Sequence, residues 1–194
     1  MKQTRLFCTT LTAVMVALSA VIYMIFPEIP LVPGVEYLKI DLSDIPALVT
    51  GMTVGPFWGI LVELIKNAIH LFRTTTFGIG EAVNCGIGAA MILSLWGGCR
   101  LIGNRQKRPS PVVTASVYYL AAVGCLAVTI VVGWALNAAL TPLFYRIMHW
   151  PLTAATLAAG VWGSTLLNAV KTAVTVLPFF PLVRILQKYV DKQR

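Results

Sequence analysis

Five apolar runs take up most of the chain: Leu6–Phe26, Ile45–Phe72, Gly80–Ile102, Pro111–Tyr145 and Thr153–Leu186. About 20 apolar residues suffice to cross the hydrocarbon core of a bilayer as a helix, and each run reaches that length. Backbone polar groups in hydrocarbon must be paired internally, so runs of this kind fold as helices. Composition agrees, with 58% of residues hydrophobic and 11% charged, against about 25% charged in soluble domains. These features exclude most soluble enzymes, nucleic-acid-binding domains and disordered regulators. The net charge of +8 does not point to nucleic acid, because the basic residues stand at the ends of apolar runs, where they orient membrane spans.

Lys2 and Arg5 ahead of the first run would also suit a secretory signal. That run is long enough to span, and Leu18-Ser19-Ala20 offers no good cleavage site, so it is read as a retained first span. Cys8, Cys85, Cys99 and Cys125 are scattered through apolar segments without C-x-x-C spacing. They are read as small packing residues, and no metal site is expected.

Charge placement sets the number of crossings. Basic clusters stand at Lys2/Arg5, at Arg100/Arg105/Lys107/Arg108 and at Arg184/Lys188/Lys192/Arg194. Five single crossings would put the middle cluster outside, against the positive-inside rule. Two helices within Ile45–Phe72, divided at Gly55-Pro56, bring all three clusters inside. The expected fold is therefore an all-α integral membrane protein, a single domain over 1–194. Its six-helix bundle has helices near 6–26, 45–55, 56–72, 80–102, 111–145 and 153–188, with both termini cytoplasmic. The second helix is too short to span unless its neighbours shield it.

The first external segment, 27–44, holds Glu28, Glu36, Asp41 and Asp44 among four of the prolines and glycines Pro27, Pro30, Pro33 and Gly34. Val35–Leu42 alternates enough for a short extended stretch. A loop of this length is either a lid over a binding site or a solvated connector, and the former is favoured. Ser43 and Asp44 before Ile45-Pro46 read as a helix cap.

Polar groups inside spans are costly and face a cavity or a partner. Ser164, Asn168, Lys171 and Thr175 fall at i, i+4, i+7 and i+11, one face of the last helix. An amide and an ammonium on one face suit carbonyl or ring-nitrogen acceptors of a ligand. The alternative for Lys171 is a carboxylate partner. Asn137 either reaches the same cavity or bridges two helices. Glu63, Lys66, Asn67 and His70 share a face of the third helix, where Glu63 and Lys66 are expected to pair and His70 to be hydrogen-bonded. Glu81 and Asn84 are read first as capping and inter-helix groups, with ligand contact as the second reading for Asn84.

Small residues allow close backbone approach. Thr9, Ala13 and Ala17 form such a stripe on the first helix, for internal packing or for docking onto another membrane protein. Gly51, Gly55 and Gly59 form a second stripe. The five tryptophans stand mostly near run ends, as in an interfacial belt.

Tyr37-Leu38-Lys39-Ile40-Asp41-Leu42-Ser43-Asp44-Ile45-Pro46-Ala47-Leu48, then Gly55-Pro56 with Gly59, Glu63-Leu64-Ile65-Lys66-Asn67 and Gly78-Ile79-Gly80-Glu81-Ala82-Val83-Asn84, together resemble the substrate-binding S-components of energy-coupling factor vitamin transporters. The riboflavin-binding members are the most similar. The resemblance extends over essentially the whole chain, and its fold is a six-helix bundle with a long first external loop. It implies a non-enzymatic subunit of the prokaryotic plasma membrane, without cofactor or nucleic-acid partner, working with a transmembrane coupling protein and two cytosolic ATPases. It also implies that Asn137, Asn168 and Lys171 hold the flavin ring, and that the first loop, with Tyr37, Leu38 and Lys39, closes over the ribityl side. Asn84 is a further candidate contact, and Ala13 and Ala17 match the family's docking motif. Departures occur at Asn84-Cys85-Gly86, where an aromatic commonly follows the asparagine, and in the connection Arg146–Leu152. FMN, pantothenate, folate and queuosine precursors are the alternative ligands. From another class, Asp41-Leu42-Ser43-Asp44 would serve an intramembrane metal-dependent transferase, although the further carboxylates that such chemistry needs are scarce. A non-catalytic scaffold is disfavoured by the costly Lys171.

Overall fold

The structure is a computed structural model that describes residues 5–25, 29–30, 39–40, 42–103 and 111–185. Tyr37 and Leu38 lie outside the described residues, as do Asp41, Lys2, Arg105, Lys107, Arg108, Lys188, Lys192 and Arg194; for Lys39 only the backbone is described. Six α-helices form among the described residues: α1 (Arg5–Ile25), α2 (Asp44–Thr53), α3 (Pro56–His70), α4 (Ile79–Gly103), α5 (Pro111–Ile147) and α6 (Ala154–Val176). A two-residue antiparallel ladder, β1 (Ile29–Pro30) with β2 (Lys39–Ile40), pairs Ile29 with Ile40 and Pro30 with Lys39. Among the described residues, four helical stretches are long and apolar enough to cross a membrane: Arg5–Ile25, Ile79–Gly103, Val113–Ile147 and Ala154–Ile185.

The short α2 occupies the middle of the molecule, with Asp44 and every residue from Pro46 to Thr53 buried. Its 10 residues rise only about 15 Å, and a helix that is apolar on every side is stable only when surrounded. The surroundings are α1, α3 and α4, with α6 touching one end. Pro46 fits the first turn, where its missing N–H costs nothing. Gly55, at φ +144°, turns the chain, and Pro56 starts α3. The two helices then cross at Gly51 and Gly59, where a β-carbon on Gly59 would lie 2.7 Å from Gly51 Cα and from the Ala47 carbonyl oxygen. The glycine stripe is therefore an internal helix crossing.

α6 differs from the continuous helix expected over 153–188. It begins at a Thr153 cap whose side chain accepts from Thr156 N, and it gives way to a 3-10 turn at Leu177–Phe179 before helical backbone resumes at 180–185. Pro178 has no N–H and its ring opposes the carbonyl four residues back. Pro142 is tolerated inside α5.

The outer surface is apolar where lipid would lie, with Val14, Leu18, Val21, Val123, Val131, Trp134, Trp162 and Leu166 all exposed. Trp134 and Trp162 face away from the interior. Thr9, Ala13 and Ala17 lie on the exposed face of α1, whereas Cys8, Thr12, Ser19, Ala20 and Tyr23 form its buried face.

Candidate functional site

The interior contains a closed ring of six polar side chains from four helices. Asp44, in the first turn of α2, accepts from Lys66 Nζ at Oδ1 and pairs through Oδ2 with Lys171 Nζ on α6 at 2.8 Å. Lys171 donates to Asn84 Oδ1 on α4 at 2.5 Å, and Asn84 Nδ2 donates to Asn67 Oδ1 on α3 at 3.1 Å. Asn67 Nδ2 returns to Glu63, at 2.8 Å from its carbonyl and 3.4 Å from Oε2. Glu63 Oε2 closes the ring on Lys66 Nζ at 3.0 Å. Asp44, Glu63 and Lys66 are at most 1% exposed, and Lys171 is 5% exposed. Two carboxylates and two ammonium groups cancel, as charges in a low-dielectric interior must.

Close packing keeps the ring in place. A β-carbon on Gly88 of α4 would fall 2.5 Å from Glu63 Cδ, so only glycine admits the Glu63 side chain. On the other side, Ser19 of α1 donates to the Ser43 carbonyl, and Lys66 donates to Ser43 Oγ at 3.0 Å. The Lys66 ammonium also lies 5.6 Å from the Tyr23 ring, which stacks on His70 at 3.7 Å. His70 Nδ1 meets Glu81 Oε1 at 2.8 Å, and Thr74 and Thr76 donate to Glu81 Oε2 at 2.9 and 3.0 Å.

These contacts correct one expectation. Ser43 is the N-cap residue of α2 but its side chain makes no capping bond, and the Asp44 carboxylate is engaged by two lysines. A buried ammonium pair competes for a carboxylate more strongly than neutral helix N–H groups do. Asp41, the other acid of the D-x-x-D reading, lies outside the described residues. The pairings expected for Glu63 with Lys66, for a hydrogen-bonded His70, and for Glu81 and Asn84 between helices are present.

The polar face of α6 turns inward as a unit, with Ser164, Asn168, Lys171 and Thr175 all buried. Ser164 donates to the Val161 carbonyl at 2.8 Å. Asn168 Nδ2 and Thr175 Oγ1 have no hydrogen-bond partner among the described residues. Asn168 packs on α5 at Gly133, where a β-carbon would overlap its amide. Asn137, half-buried, donates from Nδ2 to the Gly133 carbonyl at 2.8 Å. Gly133 thus brings both asparagines to one stretch of backbone, while Lys171 and Asn84 are joined directly. Sequence reasoning missed Asp44 as a partner of Lys171. The available signal was charge balance: Glu63, Lys66 and Lys171 sum to one excess positive charge, and Asp44 is the acid bordering the same apolar run.

A family model described as the substrate-specific component of the ECF transporter matches residues 9–183. The chain belongs to this family. Members of this family, the S-components, are the substrate-specific components of transporters. The chain is 35% identical over 83 residues to riboflavin transporter RibU of Staphylococcus aureus, covering 41% of its length and 42% of that protein. A longer match, 25% identical over 155 residues, covers 77% of the chain and 74% of riboflavin transporter RibU of Leuconostoc mesenteroides. The first of these matches thus spans less than half the length of its relative. A solved structure of the S component of a bacterial ECF transporter superposes with a TM-score of 0.71 at 24% identity, covering 94% of this chain and 96% of that one. The likeness extends the family assignment to the fold.

Proposed function

We propose that this S-component binds riboflavin and delivers it through an ECF transporter of the cell membrane. The observation that carries the reading is the buried face of Asn168 and Lys171, with the Asn168 amide unpartnered among the described residues, in a chain whose relatives are named riboflavin transporters. The flavin ring presents carbonyl and ring-nitrogen acceptors and one N–H donor. An ammonium gives charge-assisted bonds to the carbonyls, and an amide both donates and accepts. Lys171 would meet the carbonyl edge, with Asn168 and Asn137 on the remaining groups and Asn84 behind Lys171. The first external segment, with Tyr37, Leu38 and Lys39, would close over the ribityl chain.

The charge-balanced ring suits an uncharged ligand. FMN carries its phosphate at the ribityl end, which on this reading lies under the first external segment and not against the ring. On this reading the chain crosses the membrane with six helices and keeps both termini in the cytoplasm. The exposed Ala13 and Ala17 dock on the transmembrane coupling protein, which joins two cytosolic ATPases. The test is calorimetric titration of the detergent-purified protein with riboflavin, FMN, pantothenate, folate and a queuosine precursor in parallel. Riboflavin is expected to give the tightest isotherm; binding of another vitamin without riboflavin would replace the ligand and leave the family.

A further inference from the structure

We propose that Asp44 is the positioning residue for Lys171, its carboxylate fixing the ammonium at the point from which it meets the flavin carbonyl edge. The inference rests on the riboflavin reading above and adds to it a residue outside the ligand contacts. A lysine ammonium sits on a flexible four-carbon stem and carries three N–H donors. Here groups from two different helices engage it: Asp44 Oδ2 on α2 in an ion pair at 2.8 Å, and Asn84 Oδ1 on α4 as a hydrogen-bond acceptor at 2.5 Å. Those contacts orient the donor before a ligand arrives, so less side-chain freedom is lost on binding.

Asp44 can serve because it is itself immobilised. It is 1% exposed in the first turn of a helix buried on all sides, and its other oxygen is held by Lys66, which Glu63 and Ser43 secure in turn. Lys66 retains its contacts to Glu63 and Ser43 when Asp44 is neutralised, whereas Lys171 loses its ion pair with Asp44. The effect of changing Asp44 is therefore concentrated on Lys171.

Calorimetric titration with riboflavin tests this on the purified full chain and on Asp44→Asn, Asp44→Glu, Lys171→Met and the two double variants, with ligand-free thermal unfolding followed for each. Asp44→Asn is expected to weaken riboflavin binding by about tenfold or more, and by less than about twofold when Lys171 is already Met. Asp44→Glu keeps the charge balance and moves the carboxylate by one methylene. It is expected to show the same dependence on Lys171, and it carries the test if Asp44→Asn does not fold. Affinity unchanged within twofold in the Asp44 variants overturns the proposal, and so does a loss of equal size in both Lys171 backgrounds, which is what a purely structural role gives. Unmodified protein that ignores riboflavin, or Lys171→Met that binds it undiminished, overturns the riboflavin reading together with this one. That failure is recognisable because no Asp44 variant enters it.

Discussion

The Asn168 amide lies against the α-carbon of Gly133, closely enough that a β-carbon there would overlap it. Glycine at this position therefore sets where the amide on α6 stands relative to α5. Gly133→Ala would push Asn168 aside while leaving the lipid-facing surface of both helices intact. Riboflavin affinity is expected to fall by about tenfold, the equivalent of one ligand hydrogen bond of roughly 1.4 kcal/mol. Titration beside a ligand-free melting curve checks this, and an unchanged affinity would show that Asn168 does not contact the ligand.

Lys66 holds two carboxylates in the interior, Asp44 and Glu63. Lys66→Met would leave both of them with one fewer counter-ion where water cannot replace it. Removing one partner of a buried ion pair costs about 3–5 kcal/mol, so the midpoint of thermal unfolding in detergent is expected to drop sharply. The double variant Glu63→Gln/Lys66→Met restores neutrality and should recover part of the loss.

Gly59 is the tightest point of the α2–α3 crossing, facing Gly51 Cα and the Ala47 carbonyl. The obstacles are backbone atoms, which cannot turn away as a side chain does. Gly59→Ala is expected to destabilise the protein by about 1–3 kcal/mol through overpacking. Gly97, with nothing within 4 Å of its β position among the described residues, is the control: Gly97→Ala should be neutral or slightly stabilising in the same melting assay.

Ala13 and Ala17 occupy the outward face of α1, away from the ring. Leucine at either position should leave riboflavin titration unchanged and reduce uptake in cells that express the complete transporter. Equal loss of binding and uptake would mean that the stripe supports the fold instead of docking.

The helices were legible because apolar length and the Gly55-Pro56 break are local properties of the chain. The face shared by Asn168 and Lys171 follows from helical spacing alone. Asp44 was not legible in the same way, since Ser-Asp-Ile-Pro is a good local cap signature and its true partner lies on the last helix. The bond from Asn137 to Gly133 depends on a rotamer, which no spacing rule reports. Pro178 was visible in the sequence, but whether a proline interrupts a buried helix depends on its neighbours: Pro142 does not, and Pro178 does.

The central claim is that the buried face of Asn168 and Lys171 holds a flavin. It is tested most directly by the visible absorption spectrum of protein purified in detergent without added vitamin, followed by fluorescence titration with riboflavin. A yellow preparation with flavin bands, or stoichiometric quenching on titration that Lys171→Met abolishes, is the expected result. A colourless protein that leaves riboflavin fluorescence unquenched would contradict the claim, keeping the S-component fold and removing flavin as its cargo.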